Sequence, residues 1–292
     1  MPPARHTETQ IMTLTQVEVG RKAEDVGAGS RSRIALCLFL MSLGIVSSGL
    51  AQSAQPQVAE ANPGRPTVST PATLTPVGYL QFETGVVGAS HSPEFSSLYG
   101  LNEVVKLSVA RRLELIAAAG PLVHYDAAGT SANGTAEVFL GAQAVVSHGE
   151  GARPTISASY FRRVFDGGVP DVDIGSPLNS FLVLASADVK GFHYDANAIF
   201  NEQTEGAGHR AQFGQTLSVS HHIAGKFSVS GEIWHFTQPF LHGNAVGNLW
   251  AVGYAVGNTL VLDAGFNRGL TSTSTRWEGF VGFTYLLPHR LW

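Results

Sequence analysis

Ser186, Ser230, His193 and His235 are the side chains with which this chain could attempt nucleophilic chemistry. A serine hydroxyl becomes a nucleophile when a histidine within hydrogen-bond reach removes its proton. Spacing gives these four no pairing, and serine is common enough in the chain that its presence argues for nothing. The doublet His221–His222 is the nearest approach to a metal motif. It falls at an expected short turn between strands, where adjacent residues point to opposite faces, so the two rings cannot chelate one ion. Neither a Gly-rich phosphate loop, nor a Cys/His cluster, nor His-Glu-x-x-His occurs. The expectation is no catalytic residue, no metal and no cofactor.

Carboxylates form a different pattern. In "LVLDAGFN", Leu260 to Asn267, the apolar Leu260, Leu262, Ala264 and Phe266 alternate with positions that include Asp263 and Asn267. Strand side chains repeat every two residues, so one face is greasy and the other holds a carboxylate. Tyr194, Ala196, Ala198 and Phe200 alternate in the same way with His193, Asp195, Asn197 and Asn201. So do Ala136, Val138, Leu140 and Ala142 with Glu137, Gly141 and Gln143, and Ala185, Ala187 and Val189 with Ser186, Asp188 and Lys190. Trp277, Val281, Phe283 and Tyr285 oppose Glu278, Gly282 and Thr284. A soluble sheet would turn the polar face to water. A transmembrane barrel turns it into the lumen and gives the apolar face to lipid.

In the barrel reading the lumen is lined by Glu83, Lys106, Glu114, Glu137, Asp188, Asp195, Asn197, Glu232, Asp263, Asn267 and Glu278. Arg163, Lys190 and Arg210 join Lys106 as inward bases. Acids outnumber bases, so an open lumen would favour cations, whereas pairing across it would close it. Glu103 and Gln215 fall on the lipid face. Glu103 is expected near the outer rim, the strand at 247–256 has an ambiguous phase, and Gln215 fits no part of the pattern. Trp234, Trp250, Trp277, Tyr79 and Tyr285 read as interfacial belt or core rather than as a ligand box.

The elements that must position these residues are strands. Charged residues make up 14% of the 292, well under the quarter or so typical of soluble domains. Gly numbers 33, and no segment after the leader approaches the roughly 20 apolar residues of a spanning helix. Twelve strand-like segments follow one another, near 78–87, 100–109, 113–124, 135–147, 154–164, 180–189, 192–201, 210–221, 227–236, 247–256, 260–267 and 276–287. Long and short connections alternate between them. Short turns at one rim and longer loops at the other suit a barrel with both termini on the periplasmic side. The fold expected is all-β, an antiparallel transmembrane barrel of about 12 strands, of outer-membrane type.

Arg31 and Arg33 precede the apolar run Ile34–Val46, and small residues Gly49 and Ala51 follow it. That order is a secretory signal, with cleavage expected after Ala51. Cys37, the one cysteine, lies inside it. Residues 1–51 thus read as leader and signal peptide, 52–76 as a Pro/Thr-rich periplasmic lead-in, and 77–292 as the barrel. From Ala51 onward 13 Lys and Arg face 18 Asp and Glu. With no basic stripe, nucleic acid is excluded as a partner.

Three stretches resemble the outer-membrane transporters of the MetA-pathway phenol-degradation family. "GRPTVSTPATLTPVGYLQFETG", Gly64 to Gly85, is similar to the family opening, an Arg-Pro lead-in followed by Gly-x-x-Gln-x-Glu-x-Gly. "KLSVARRLELIAAAG" resembles its second hairpin, and "LVLDAGFNRGLTSTSTRWEGFVGFTYLL" its closing hairpin. The resemblance implies an outer-membrane β-barrel with a transport role, often for aromatic or other hydrophobic compounds. Barrels of this kind often end on an aromatic in phase with the last strand. Here Trp292 lies beyond Pro288, which leaves the Val281–Phe283–Tyr285 face as the insertion signal. The expected function is a channel or transporter passing small solutes through the cell outer membrane. Its alternatives are a plugged structural or adhesive barrel and an outer-membrane lipid hydrolase. The expected partners are outer-membrane lipid, a small-molecule solute and the outer-membrane assembly machinery.

Overall fold

The computed structural model describes residues 59–170 and 177–292. The expected signal, its cleavage point after Ala51 and the first residues of the lead-in lie outside the described residues. Among the described residues thirteen strands form one antiparallel sheet: β1 (Leu80–Ser90), β2 (Ser97–Ala110), β3 (Leu113–Ala127), β4 (Thr130–Gly134), β5 (Val138–Ser147), β6 (Thr155–Phe165), β7 (Pro177–Val189), β8 (Phe192–Glu205), β9 (Gly208–Ala224), β10 (Phe227–Gln238), β11 (Gly243–Ala255), β12 (Leu260–Gly269) and β13 (Trp277–Leu286). Each wall strand pairs with its sequence neighbours, β1 closes on β13, and β2 pairs with β3, so the wall has no free edge. The short β4 pairs only with the outer end of β3. Twelve strands therefore make a closed barrel, and the ladder satisfies every stretch of backbone that lipid would leave unpaired.

All twelve expected strands are present. The loops are shorter than expected at one rim. β8 and β9 run on to a tight turn at Gly206–Ala207, and Ala128–Gly129 joins β3 to β4. At the opposite rim the turns at Arg111–Arg112, Lys190–Gly191 and Gly225–Lys226 are equally tight. β1 begins and β13 ends at this second rim, the periplasmic one in the expected orientation.

Alternation sorts the side chains. Val86, Leu140, Ile233, Val252 and Val281 are exposed on the outer face, while Glu83, Glu114, Asp195, Glu232 and Asp263 are buried on the inner one. Phe181, Phe200 and Phe213 form an outward aromatic row across β7, β8 and β9, with Phe200 edge-on to Phe213 at 5.5 Å. One step nearer the outer rim, Arg162, Asn179, Glu202 and His209 form a polar row, Arg162 Nη1 donating to Asn179 Oδ1 at 2.9 Å. The change from aromatic to charged marks where lipid tails give way to headgroups.

The ambiguous β11 takes a definite phase. Trp250, Val252 and Tyr254 face out, and the buried Leu249 and Ala251 face in. They join Val87, Leu98, Val123 and Phe280 in an apolar cluster within the outer half of the barrel. Ala136, expected on the lipid face, belongs to this cluster instead, because β5 begins only at Val138. Glu103 is not at the rim. It lies mid-strand on the outer face, opposite Thr84, whose hydroxyl donates to it at 2.6 Å. Gln215 lies mid-strand on the outer face between the exposed Phe213 and Leu217, opposite His235, whose Nε2 meets Asn244 Oδ1.

Candidate functional site in the lumen

The lead-in, expected to lie in the periplasm, runs through the barrel over residues 62–75. It contains Pro63, Pro66, Pro71 and Pro76, which lack an N–H and keep the segment extended without a ladder of its own. Its remaining backbone groups still need partners. Inward side chains from strands all round the wall supply them.

Ala61 N donates to Asn258 O at 2.7 Å, in the periplasmic-rim turn between β11 and β12. Asn62 N donates to Gln81 Oε1, and Gln81 Nε2 returns a bond to Asn62 O, both at 2.8 Å. Gly64 N donates to Glu83 Oε1 at 3.0 Å, and the same oxygen is 2.5 Å from Lys106 Nζ. Arg65 forks onto Asp263 through Nε at 3.3 Å and Nη2 at 3.1 Å. Glu232 receives Val68 N and Ser69 N, each at 2.7 Å, and the Ser69 hydroxyl at 2.6 Å. Such charge-assisted bonds are the strong ones.

The segment then turns back. Thr70 exchanges two bonds with the Asn197 amide, and Ala72 N donates to Ser186 Oγ at 2.7 Å. Gln143 and Ser157 donate to Pro71 O and Ala72 O. Thr75 N and Oγ1 both donate to Glu114 Oε2, and Gly78 N reaches Ser108 O, back at the rim where β1 starts. The two limbs meet where Asn62 Nδ2 donates to Thr73 O at 2.9 Å. The segment is thus a hairpin-like insert, open toward the periplasmic rim, with its apex at Arg65–Val68.

Gly85 and Gly282, paired across β1 and β13, give the apex its berth. A Cβ at Gly85 would stand 2.4 Å from Arg65 Cζ, and one at Gly282 2.7 Å from its Nη2. No residue larger than glycine leaves the guanidinium this place. The family-like spacing Gly78, Gln81, Glu83, Gly85 therefore has a physical meaning: its inward members are the residues that hold Asn62, Gly64 and Arg65.

The structure brings Glu83, Lys106, Glu114, Asn197, Glu232 and Asp263 together around the insert. The others stand elsewhere in the lumen. Asp195 accepts from Ser186 Oγ at 2.5 Å and meets His193 Nε2 at 3.2 Å, while His193 Nδ1 meets Asp188 at the periplasmic mouth. Glu137 pairs with Arg163 near the outer rim. Asn267 links Trp234 Nε1 to Glu278. Lys190 is not inward; it occupies the turn after β7 with φ of 53°. Arg210 is exposed, over the Phe240 ring with its Nη1 on Pro239 O. Trp234 is buried inside, whereas Trp250 and Trp277 are exposed on the outer face.

The nucleophile candidates do not assemble. Asp195 stands between Ser186 and His193, and Ser186 also accepts from the insert, so its hydroxyl proton points to a carboxylate. Ser230 and His235 sit on opposite faces of β10. His221 stacks on Phe192 at 4.5 Å, with Nδ1 on Gly191 O. Arg65, Gln81, Gln143, Ser157 and Thr216 are site residues that carboxylate counting missed. For the four strand residues the signal is inward phase combined with a polar side chain; Arg65, outside any strand, carries none.

Space remains at both ends of the lumen. On the periplasmic side a cavity of about 680 Å³ touches Arg65, Pro66 and Thr67 together with His193, Asp195 and Asp263. On the outer side a cavity of about 100 Å³ touches Val68, Gln203, Gln212 and Trp234. The apex of the insert lines both, Arg65–Thr67 the first and Val68 the second.

No protein-family model matches the sequence, and no curated protein matches it. Among solved structures the chain is similar to an outer membrane channel from Pseudomonas putida F1. The TM-score is 0.53 at 13% identity, over 78% of this chain and 100% of that one. It is also similar to the NanC porin, with a TM-score of 0.50 at 10% identity, over 70% of this chain and 98% of that one. At these identities the likeness establishes the fold, a closed antiparallel barrel of outer-membrane type. That fold and the exposed apolar belt place the protein in the cell outer membrane.

Proposed function

We propose that the protein is an outer-membrane channel for passive passage of small solutes, held narrow by its own residues 62–75. One observation carries this reading: the apex Arg65–Val68 lines both a periplasmic cavity and an outer one within the same lumen. A twelve-stranded wall is wider than side chains alone need to fill, which leaves room for both an insert and a path. The resemblance of Gly64–Gly85 and the closing hairpin to phenol-degradation transporters supports aromatic or hydrophobic cargo. Delivery to the outer membrane would use the assembly machinery, with the Val281–Phe283–Tyr285 face as its signal.

A second reading, a plugged barrel with a structural or adhesive role, is favoured by the apolar cluster around Val87, Leu249 and Phe280. Planar-bilayer recording decides between them. The parent protein should show small conductance, and a variant lacking residues 60–74 should show several-fold more. If the deleted barrel folds, inserts and passes no current, the structural reading replaces the channel.

A further inference from the structure

The outer cavity is lined in an unusual way for a space this small. Asn201, Gln203, Gln212 and Gln238 contribute four carboxamides, and Trp234 and Val68 contribute apolar surface. The amides form a chain. Asn201 Nδ2 and Gln203 Nε2 both donate to Gln212 Oε1 at 2.8 Å, and Gln212 Nε2 donates to Gln238 Oε1 at 3.2 Å. That arrangement spends the amide nitrogens of Asn201 and Gln203 and leaves their oxygens over. Among the described residues, Asn201 Oδ1 and Gln203 Oε1 are buried with no hydrogen-bond partner. Gln203 is only 3% exposed, so bulk water does not serve it freely.

An unpaired buried acceptor is costly, and two side by side call for a ligand that donates to both. Reversing the whole amide chain would present two N–H₂ donors at the same places. A hydroxyl answers either arrangement, because it both donates and accepts. A purely hydrophobic solute would leave both groups unpaired. Among the described residues no Lys or Arg lines the cavity, so none compensates an anion, and Glu278, the one ionisable residue among them, already accepts from Asn267. The indole of Trp234 is pinned by its bond to Asn267 at 2.8 Å and offers a fixed flat wall. A volume of about 100 Å³ holds several waters, or one small solute in their place.

The geometry points to a binding site for a small, neutral, hydroxyl-rich solute, a short polyol of about glycerol's size, seated between the outer rim and the apex of the insert. This class differs from the hydrophobic cargo to which the sequence resemblance points. It rests on the channel reading only for the route by which solute arrives.

The test is equilibrium binding to the full chain in detergent micelles. Glycerol, ethylene glycol and phenol are each titrated while heat and Trp fluorescence are recorded. Glycerol or ethylene glycol should bind saturably and change the fluorescence, and Trp234→Phe should remove that change. Gln203→Leu should weaken binding roughly tenfold, the scale of one lost hydrogen bond. Asn201→Ala, at a less buried position, is the second variant, should Gln203→Leu fail to give a heat-modifiable folded barrel; it should weaken binding in the same direction. Saturable binding of phenol alone, no saturable binding by either hydroxyl-rich probe, or unchanged affinity in a folded variant would each overturn the site. Because no current is measured, such a failure leaves the channel reading to its own experiment.

Discussion

Arg65 and Asp263 meet from parts of the chain almost two hundred residues apart, and the pair is buried on the carboxylate side. Removing one partner of a buried pair costs about 3–5 kcal/mol, because the other is left uncompensated. If about 3 kcal/mol of that falls on the seated insert, its displaced population rises more than a hundredfold. Arg65→Ala should therefore raise single-channel conductance and shift the reversal potential in a salt gradient toward cation selectivity, since Asp263 is left bare. Asp263→Asn should also raise conductance but shift the potential the opposite way, leaving the arginine bare. Shifts of the same sign would show that the pair does not line the path. Gly85→Val keeps both charges and removes the berth, so it should raise conductance with little change in selectivity. Asp263 was legible in the sequence, because an acid amid alternating leucines needs water or a partner. Arg65 was not: nothing in a Pro-rich lead-in says which carboxylate its one arginine will reach.

The strands were legible because lipid imposes a period of two on everything it touches. Leu262, Ala264 and Phe266 announced β12 before any pairing was known. Where lipid ends the signal ends, although the ladder continues. Glu202–Glu205 and Gly208–Arg210 extend β8 and β9 with polar residues on both faces, and their sequence reads as loop. β4, "TSANG", has no apolar residue but Ala132 and gave no signal at all. Depth also emerges only from register. Val281 pairs with Val86 and Ala264, midway along its strand, whereas Leu262 pairs with Tyr254 and Phe283 near the periplasmic rim. Val281→Arg should thus destabilise the barrel by about 2–4 kcal/mol and Leu262→Arg by about 0–1 kcal/mol. Refolding titrations into lipid vesicles would measure both, and equal costs would refute the depth assignment. Glu103 makes the converse case. A carboxylate on the lipid face carries a penalty, so Glu103→Leu should stabilise the wall by about 1–2 kcal/mol in the same titration.

Considered whole, the barrel has two unlike ends. Residues 166–170 lie at the outer rim and Arg111–Arg112 at the periplasmic one. Proteinase K added to intact cells should cut the first region and spare the second; cleavage of the second alone would reverse the orientation, and equal cleavage would abolish it. Both limbs of the inserted hairpin also leave by the periplasmic end, Ala61 beside Asn258 and Gly78 beside Ser108. That shared exit determines how the insert responds to force. A pull from the periplasm on the chain before residue 61 loads the Ala61–Asn258 bond first, then the Asn62–Gln81 bonds, then Gly64–Glu83, then the Arg65 fork, then the Glu232 cradle. The bonds fail in sequence, as a zipper opens, rather than sharing the load in shear. A modest traction applied on that side could clear the bore step by step, and on release the same order in reverse would reseat the strand without any part of the wall having to move.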